Sequence, residues 1–308
     1  MQTHPSLTVR APAKVNLHLG VGAPREDGFH PLDTVYQALG IYDDVTVAPS
    51  VGADADDFRV IFETADYVDG LALPAPGDNI VDRAAALLGG PDHPGADVRI
   101  RKGIPVAGGM AGGSADGAAA LVGLDRLWSL ETPDERLLAL AAELGSDVPF
   151  ELIGGTAHGT GRGELVQQVA DPGTWWWVVV TSTEGLSTPA VYRRWDRLFP
   201  DASPEPLSGL AVLEAIASGN PLALARAMHN DLEAAAFDLR PDLERRVAHG
   251  ESEGALRGMV TGSGPTCIFL CGSAEEAREV GASLRATWRD AVLVTSGPVA
   301  GAHIVSNW

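Results

Sequence analysis

From Ala13 the odd positions Ala13, Val15, Leu17 and Leu19 are apolar, and the even ones are Lys14, Asn16 and His18. A period of two predicts a strand pair or one bent strand over Leu7–Gly20, with a cation, an amide and an imidazole on one face. Ala96–Arg101 alternates in the same way, and Thr34–Leu39, Asp44–Val47, Trp175–Thr181 and Ala291–Thr295 read as further strands. Helical spacing marks Asn79–Leu88 and Asp116–Leu130, the latter through Ala118, Leu121, Val122, Leu124 and Trp128. Thr132, Pro133 and Glu135 have the spacing of a capping box, opening a helix that Gly145 stops. Further helices are predicted over Thr188–Leu198, Leu210–Ala217, Pro221–Met228, Pro241–Glu253 and Ala274–Arg285. Asp54–Asp57, Ala72–Asp78 and Pro200–Pro206 read as loops. The elements interleave without a repeating strand–helix period, which favours an α+β fold.

Between the run at 96–101 and the helix at 116–130 lies Ile104-Pro105-Val106-Ala107-Gly108-Gly109-Met110-Ala111-Gly112-Gly113-Ser114-Ala115-Asp116. Glycine lets the backbone take positive φ and approach a ligand closely. A helix leaving such a loop aims unpaired N–H groups and its positive dipole end at what sits there. Strand, glycine loop and helix start together describe a phosphate seat; a mobile surface turn is the plainer alternative. No Gly-Lys-Ser/Thr closes the loop and no G-x-G-x-x-G follows a strand. A spaced Cys/His zinc set and a G-x-S-x-G elbow are also absent. A second glycine cluster, Ile153–Gly163, marks a domain boundary, and Gly262-Ser263-Gly264 predicts a tight turn between strands.

The chain of 308 residues suits two domains, and its 45% hydrophobic content is enough for a real core. No apolar run nears the roughly 18 residues of a membrane span. Met1–Pro5 lacks the pattern of a signal peptide, so a cytoplasmic location is expected. A net charge of −19 argues against nucleic acid and anionic membranes as partners. A phosphate ligand here needs local neutralisation by backbone N–H groups, a few placed cations and Mg²⁺. Only two lysines occur: Lys14 in an apolar strand, where a compact ammonium is required, and Lys102, which reads as a solvated strand end. Cys267 and Cys271, four apart on one strand, are too distant for a disulfide and read as buried small hydrophobes. Asp147 is either a turn or capping residue or a carboxylate held at the mouth of a site. Phe29-His30, in a loop, either plugs the fold or meets a ligand ring.

Three separated segments agree with one family. Pro12–Leu17, Pro105–Asp116 and Val260-Thr261-Gly262-Ser263-Gly264-Pro265-Thr266 resemble the three motifs of the galactokinase, homoserine, mevalonate and phosphomevalonate (GHMP) kinase superfamily. Arg25–His30, Gly145–Phe150 and His229–Glu233 are similar to the branch acting on a cytidine diphosphate-linked methylerythritol in non-mevalonate isoprenoid synthesis. The resemblance implies a two-domain α+β fold with the active site in the cleft between its halves. Residues 1–160 would form an ATP domain like domain 2 of ribosomal protein S5, and 161–308 a ferredoxin-like α/β sandwich. It implies ATP-dependent phosphorylation of the sugar 2-hydroxyl, with Lys14 and Asp147 as the catalytic pair. Pro105, Val106, Ala107, Gly108, Gly109, Met110, Ala111, Gly112, Gly113 and Ser114 would seat ATP, with Ser114 near Mg²⁺ or a phosphate and no direct protein ligand assigned to the metal. Asn16, Phe29 and His30 fall on the cytidine side; Phe29 departs from the tyrosine usual there, and Ser146 and Ala115 are milder departures. The expected partner is this small molecule, with the chain a monomer or homodimer. Another small-molecule GHMP kinase, of homoserine or mevalonate type, has no base for the 25–30 loop to stack on. A non-catalytic nucleotide-binding regulator has no need of both Lys14 and Asp147.

Overall fold

The computed structural model describes residues 6–50, 57–68, 73, 79–90, 94–106 and 108–307. Leu7–Val21 is one long strand, β1, and the two segments expected at 34–39 and 44–47 are a single strand, β2 (Leu32–Pro49). There follow β3 (Phe58–Thr64), α1 (Ile80–Gly89), β4 (Ala96–Lys102), α2 (Gly112–Trp128), α3 (Asp134–Leu144), α4 (Val148–Ile153), β5 (Thr156–Thr160) and β6 (Leu165–Val169). The loops expected at 54–57 and 72–78 lie largely outside the described residues. Asn79 caps α1 by accepting from the N–H groups of Val81 and Asp82. Thr132 does not cap α3: Pro133 holds that place, and the Thr132 N–H donates instead to Asp125 Oδ1 at 3.0 Å. Gly145 ends α3 as expected, its N–H bonded to the Ala141 carbonyl.

The second half holds β7 (Trp175–Val180), α5 (Thr188–Leu198), α6 (Leu210–Ser218), α7 (Pro221–Ala227) and the short β8 (His229–Asn230). After these come α8 (Glu233–Leu239), α9 (Pro241–Ser252), β9 (Arg257–Val260), β10 (Cys267–Cys271), α10 (Ala274–Thr287), β11 (Val292–Gly297) and β12 (His303–Asn307). One sheet runs β12-β1-β2-β4-β3, with β5 on β2, β6 on β5 and β8 on β1; the other runs β11-β7-β10-β9. Helix α2 lies across β1 and β2, burying Ala118, Leu121 and Leu124 against Val9, Val15, Val45 and Ile100. A second core forms where α9 and α10 cover β7, β9 and β10, around Val178, Val260, Phe269 and Leu284. Cys267 and Cys271 are free and buried there, and burial pushes both thiols up to about 12. The glycine cluster at 153–163 is built into the first sheet through β5, and β6, β8 and β12 join that sheet from beyond residue 160.

Candidate active site

Polar residues alternate along β1, but not all face one way. The register against β2 shifts between Pro12 and Ala13 and again between Asn16 and His18. Such irregularities re-aim side chains. Lys14 and Asn16 line a cavity of about 830 Å³ between the two halves, together with Gly262 and Ser263 from the turn after β9. His18 does not join them, which corrects the expectation of a three-residue polar wall. Its Nε2 bonds with the Leu207 carbonyl at 2.8 Å, its ring lies 5.6 Å from that of His229, and burial lowers its pKa. Lys102 is likewise no solvated strand end. It is buried, bonded to Asp43, to Asp116 at 2.7 Å and to the Gly112 carbonyl at 3.2 Å. Burial works against its charge, but the two carboxylates outweigh it and raise its pKa.

Lys14 Nζ donates to Asn16 Oδ1 at 2.9 Å and faces Asp147 Oδ2 at 3.4 Å. Asn16 is itself fixed, its amide donating to Thr34 Oγ1 at 2.8 Å and its backbone N–H to Thr261 Oγ1 at 2.9 Å. Asp147 occupies the N-cap position of α4 without capping it, so the carboxylate is left to the cavity. Its other oxygen, Oδ1, accepts from the Tyr36 hydroxyl at 3.4 Å. Tyr36 is a site residue that sequence reading missed, because it stands in the apolar stretch of β2. Burial first, then the Asp147 charge, raise its phenol well above the ordinary range, so it stays a donor. Lys14 Nζ also lies 5.3 Å from the Tyr36 ring centroid, within reach of a cation–π contact. One turn along α4, Glu151 is fully buried with neither carboxyl oxygen hydrogen-bonded. Burial, then repulsion from Asp147, push its carboxyl well above the usual range.

The glycine loop borders the same cavity. Pro105, Val106, Gly108, Gly109, Ala111, Gly112 and Gly113 line it; Ala107 lies outside the described residues. Met110 turns its side chain into the core and gives its carbonyl to the Lys14 N–H at 3.2 Å. Ser114 stands in the first turn of α2, a partly buried residue that is not part of the lining. That helix starts four residues before the expected Asp116, and Ala111 at its head takes a left-handed conformation with no side-chain cap. The first helical bond runs from the Ala115 N–H to the Ala111 carbonyl. The N–H groups of Gly112, Gly113 and Ser114 therefore have no helical partner and suit an anion. Gly109, at φ +76, packs so closely on the turn at 261–264 that a Cβ there would meet the Gly264 and Thr261 carbonyls at 3.0 and 3.1 Å. Asn230 holds that turn from behind, donating to the Val260 and Gly262 carbonyls at 2.7 and 2.8 Å.

At the far end of the cavity stand Phe29, half exposed, and His30, whose Nε2 bonds with Asp196 Oδ1 at 2.8 Å. The His30 ring leans on Tyr192 at 4.9 Å and meets Trp195 edge-on at 5.7 Å. Arg162 lies over the Phe29 ring, 4.9 Å from its centroid. Tyr192 and Asp196 come from α5 and Arg162 from the loop after β5. Their residue types alone carried no signal. Among the described residues no group of three His, Cys, Asp or Glu side chains is arranged to hold a metal, and no helix is long and apolar enough to cross a membrane.

Residues 79–155 match the GHMP kinases N terminal domain and residues 212–290 the GHMP kinases C terminal domain. A Nocardioides protein named 4-diphosphocytidyl-2-C-methyl-D-erythritol kinase is 64% identical over 302 residues, covering 97% of this chain and 99% of its own. The chain belongs to the 4-diphosphocytidyl-2-C-methyl-D-erythritol kinase family of GHMP kinases. A Thermobifida fusca kinase of the same family is 50% identical, covering 99% of this chain and 100% of its own. A crystal structure of a 4-(cytidine 5'-diphospho)-2C-methyl-D-erythritol kinase superposes with a TM-score of 0.74 at 33% identity, covering 94% of this chain and 98% of that one. The homoserine kinase of Cytophaga hutchinsonii, at 17% identity and a TM-score of 0.72, shares the two-domain fold.

Proposed function

We infer that this member of the 4-diphosphocytidyl-2-C-methyl-D-erythritol kinase family transfers the γ-phosphoryl group of ATP to the 2-hydroxyl of its methylerythritol substrate, with Asp147 as general base. The family supports the reaction. The observation that carries the residue assignment is an N-cap aspartate that leaves its own helix uncapped and instead faces Lys14 at 3.4 Å and Tyr36 at 3.4 Å. Phosphoryl transfer asks mainly for positioning and charge stabilisation. Asp147 accepts the acceptor hydroxyl's proton as that oxygen bonds to the γ-phosphorus and the bond to the β-phosphate oxygen breaks, releasing ADP. Lys14, tied to Asn16, balances the carboxylate and keeps donors for the transferring oxygens. The uncapped start of α2 receives the triphosphate with dipole and N–H groups, which adds no counter-charge to an acidic protein. The start of α2, where Ser114 stands, would receive Mg²⁺ together with ATP, and the ion would supply counter-charge to the phosphates. Phe29, His30 and Tyr192 offer flat faces for cytosine.

The division into an ATP-binding half, 1–160, and a second half, 161–308, is supported by matches that fall within each; β6, β8 and β12 are strands the second half contributes to the first sheet. In a steady-state assay with ATP and the cytidine diphosphate substrate, Asp147→Asn is expected to bind ATP as before and to lose at least about 10²-fold in kcat, as for removal of a general base. Near-normal turnover removes Asp147 from the mechanism.

A further inference from the structure

Besides Lys14, the cavity is lined by four basic side chains among the described residues: His30, Lys102, Arg162 and Arg193. Lys102 is balanced by Asp43 and Asp116, and His30 is bonded to Asp196. Arg193 is an exposed residue of α5. Arg162 is held differently. Gly161 and Gly163, at φ +73 and +96, bracket it in a tight turn between β5 and β6. The Gly161 carbonyl accepts from the Leu32 N–H at 2.8 Å, which ties the turn to the segment just after His30. The Gly163 carbonyl accepts from the same Tyr36 hydroxyl that reaches Asp147, at 3.5 Å. Glu164 and Asp27 are the nearby carboxylates; Glu164 takes the Arg162 backbone N–H at 2.5 Å and stands 3.8 Å from Nε, and Asp27 is paired with Arg25 at 2.9 Å. The backbone of the turn is thus fixed in place, and the guanidinium, partly exposed on the Phe29 ring, has only the long contact to Glu164 and the charge of Asp27 to balance it.

Its seat on Phe29 adds a constraint. A guanidinium lying over one face of a ring leaves the other face bare, and its N–H donors, all in its own plane, extend past the ring edge. A base stacked on the free face of Phe29 brings its attached phosphates toward those donors. In a chain of net charge −19, a cation lining this part of the cavity marks where an anionic ligand group belongs. We propose that Arg162 reads the diphosphate of the substrate and, by backing Phe29, sets the plane on which the base stacks. This rests on the cavity's assignment to a cytidine diphosphate compound. The diphosphate keeps its charge from ground state to transition state, so its recognition is uniform binding that shows in KM rather than kcat.

The test compares cytidine with cytidine diphosphate, without ATP, by calorimetric titration of the wild type, Arg162→Met and Arg162→Lys, each checked for folding by thermal melting. Charge-assisted bonds to phosphate correspond to a preference of about 10- to 100-fold for the diphosphate in the wild type. Arg162→Met is expected to shrink that preference to within about threefold, and Arg162→Lys, which keeps the charge but not the flat fork, to retain part of it. In turnover, Arg162→Met raises KM for the cytidine substrate about 10- to 100-fold, leaves KM for ATP alone and holds kcat within about threefold. An unchanged preference in Arg162→Met overturns the proposal. So does an equal loss for cytidine and its diphosphate, which makes Arg162 a prop for the ring and nothing more. A wild type that binds neither ligand removes the pyrimidine-nucleotide reading itself, and the arginine's role falls with it.

Discussion

Lys14 is enclosed where an extra atom would have to go. Its ammonium is bonded to Asn16 Oδ1, faces Asp147, lies near the Tyr36 ring, and is 3.9 Å from where a Cβ on Gly262 would stand. A guanidinium is wider, and its donors point in a fixed plane. Lys14→Arg is therefore expected to keep the charge yet lose at least about 10²-fold in kcat, as when a catalytic group is misplaced. Full activity in the steady-state assay would show that charge alone matters at this position. Lys14 and Asp147 were legible because each is a charged residue in a setting where packing has no use for it. One sits in an apolar strand, the other just after a helix stop. Tyr36 and Arg162 were not legible. A tyrosine inside an apolar run reads as core, and an arginine between glycines reads as a loop; only tertiary contact gives either a role.

At the scale of elements, α4 carries the site in six residues. Asp147 precedes its first turn, Pro149 fits that turn because the missing N–H is not needed there, and Glu151 points into the core beneath. Burial, then the charge of Asp147, raise the folded Glu151 pKa well above the ordinary value, whereas the unfolded chain releases that proton above about pH 4.3. A group whose folded pKa is raised favours the native state fully below the unfolded value, and that contribution is lost as pH rises. Glu151→Gln, neutral at every pH, is expected to melt near the wild type at about pH 4 and to gain stability relative to it as pH rises to 8. Parallel thermal melts across that range check this, and a constant gap would mean that Glu151 is not held neutral. The strongly periodic helices and strands were readable in advance. β3 was missed although Phe58, Val60 and Phe62 alternate toward the core. β5 was hidden inside the glycine cluster at 153–163 and β6 by the adjacent exposed Gln167 and Gln168; pairing of β5 with β2, and of β6 with β5, rather than local pattern makes them strands.

Over the whole molecule, the chain ends by returning to its beginning. After β11 it leaves the second sheet and lays β12 against β1, with Leu7 opposite Asn307 and Arg10 opposite His303. On the way it fastens α4: the Ala302 N–H donates to the Glu151 carbonyl at 2.8 Å, and the Gly155 N–H donates to the Val299 carbonyl at 2.7 Å. Gly301 fits only as glycine, since a Cβ there would collide with the Leu152 carbonyl and the Gly154 nitrogen. A chain ending at Pro298 is expected to lose about 10 °C or more in Tm, several kcal/mol for a lost strand, and to lose turnover out of proportion to ATP binding. Scanning calorimetry with an activity assay reads both, and an unshifted melt would show that β12 merely rests on the sheet.

The bond from the Asn16 N–H to Thr261 Oγ1 spans 245 positions of sequence. The wall that orients Lys14 is thus completed by a residue made near the end of synthesis. At about 5–20 residues per second, a nascent chain exists for many seconds with Lys14 made but the turn at 261–264 still unmade. Throughout that interval the glycine loop also lacks the carbonyls of Thr261 and Gly264 on which Gly109 rests. A fragment broken off before residue 261 lacks both the Thr261 hydroxyl that holds Asn16 and the carbonyls against which Gly109 packs.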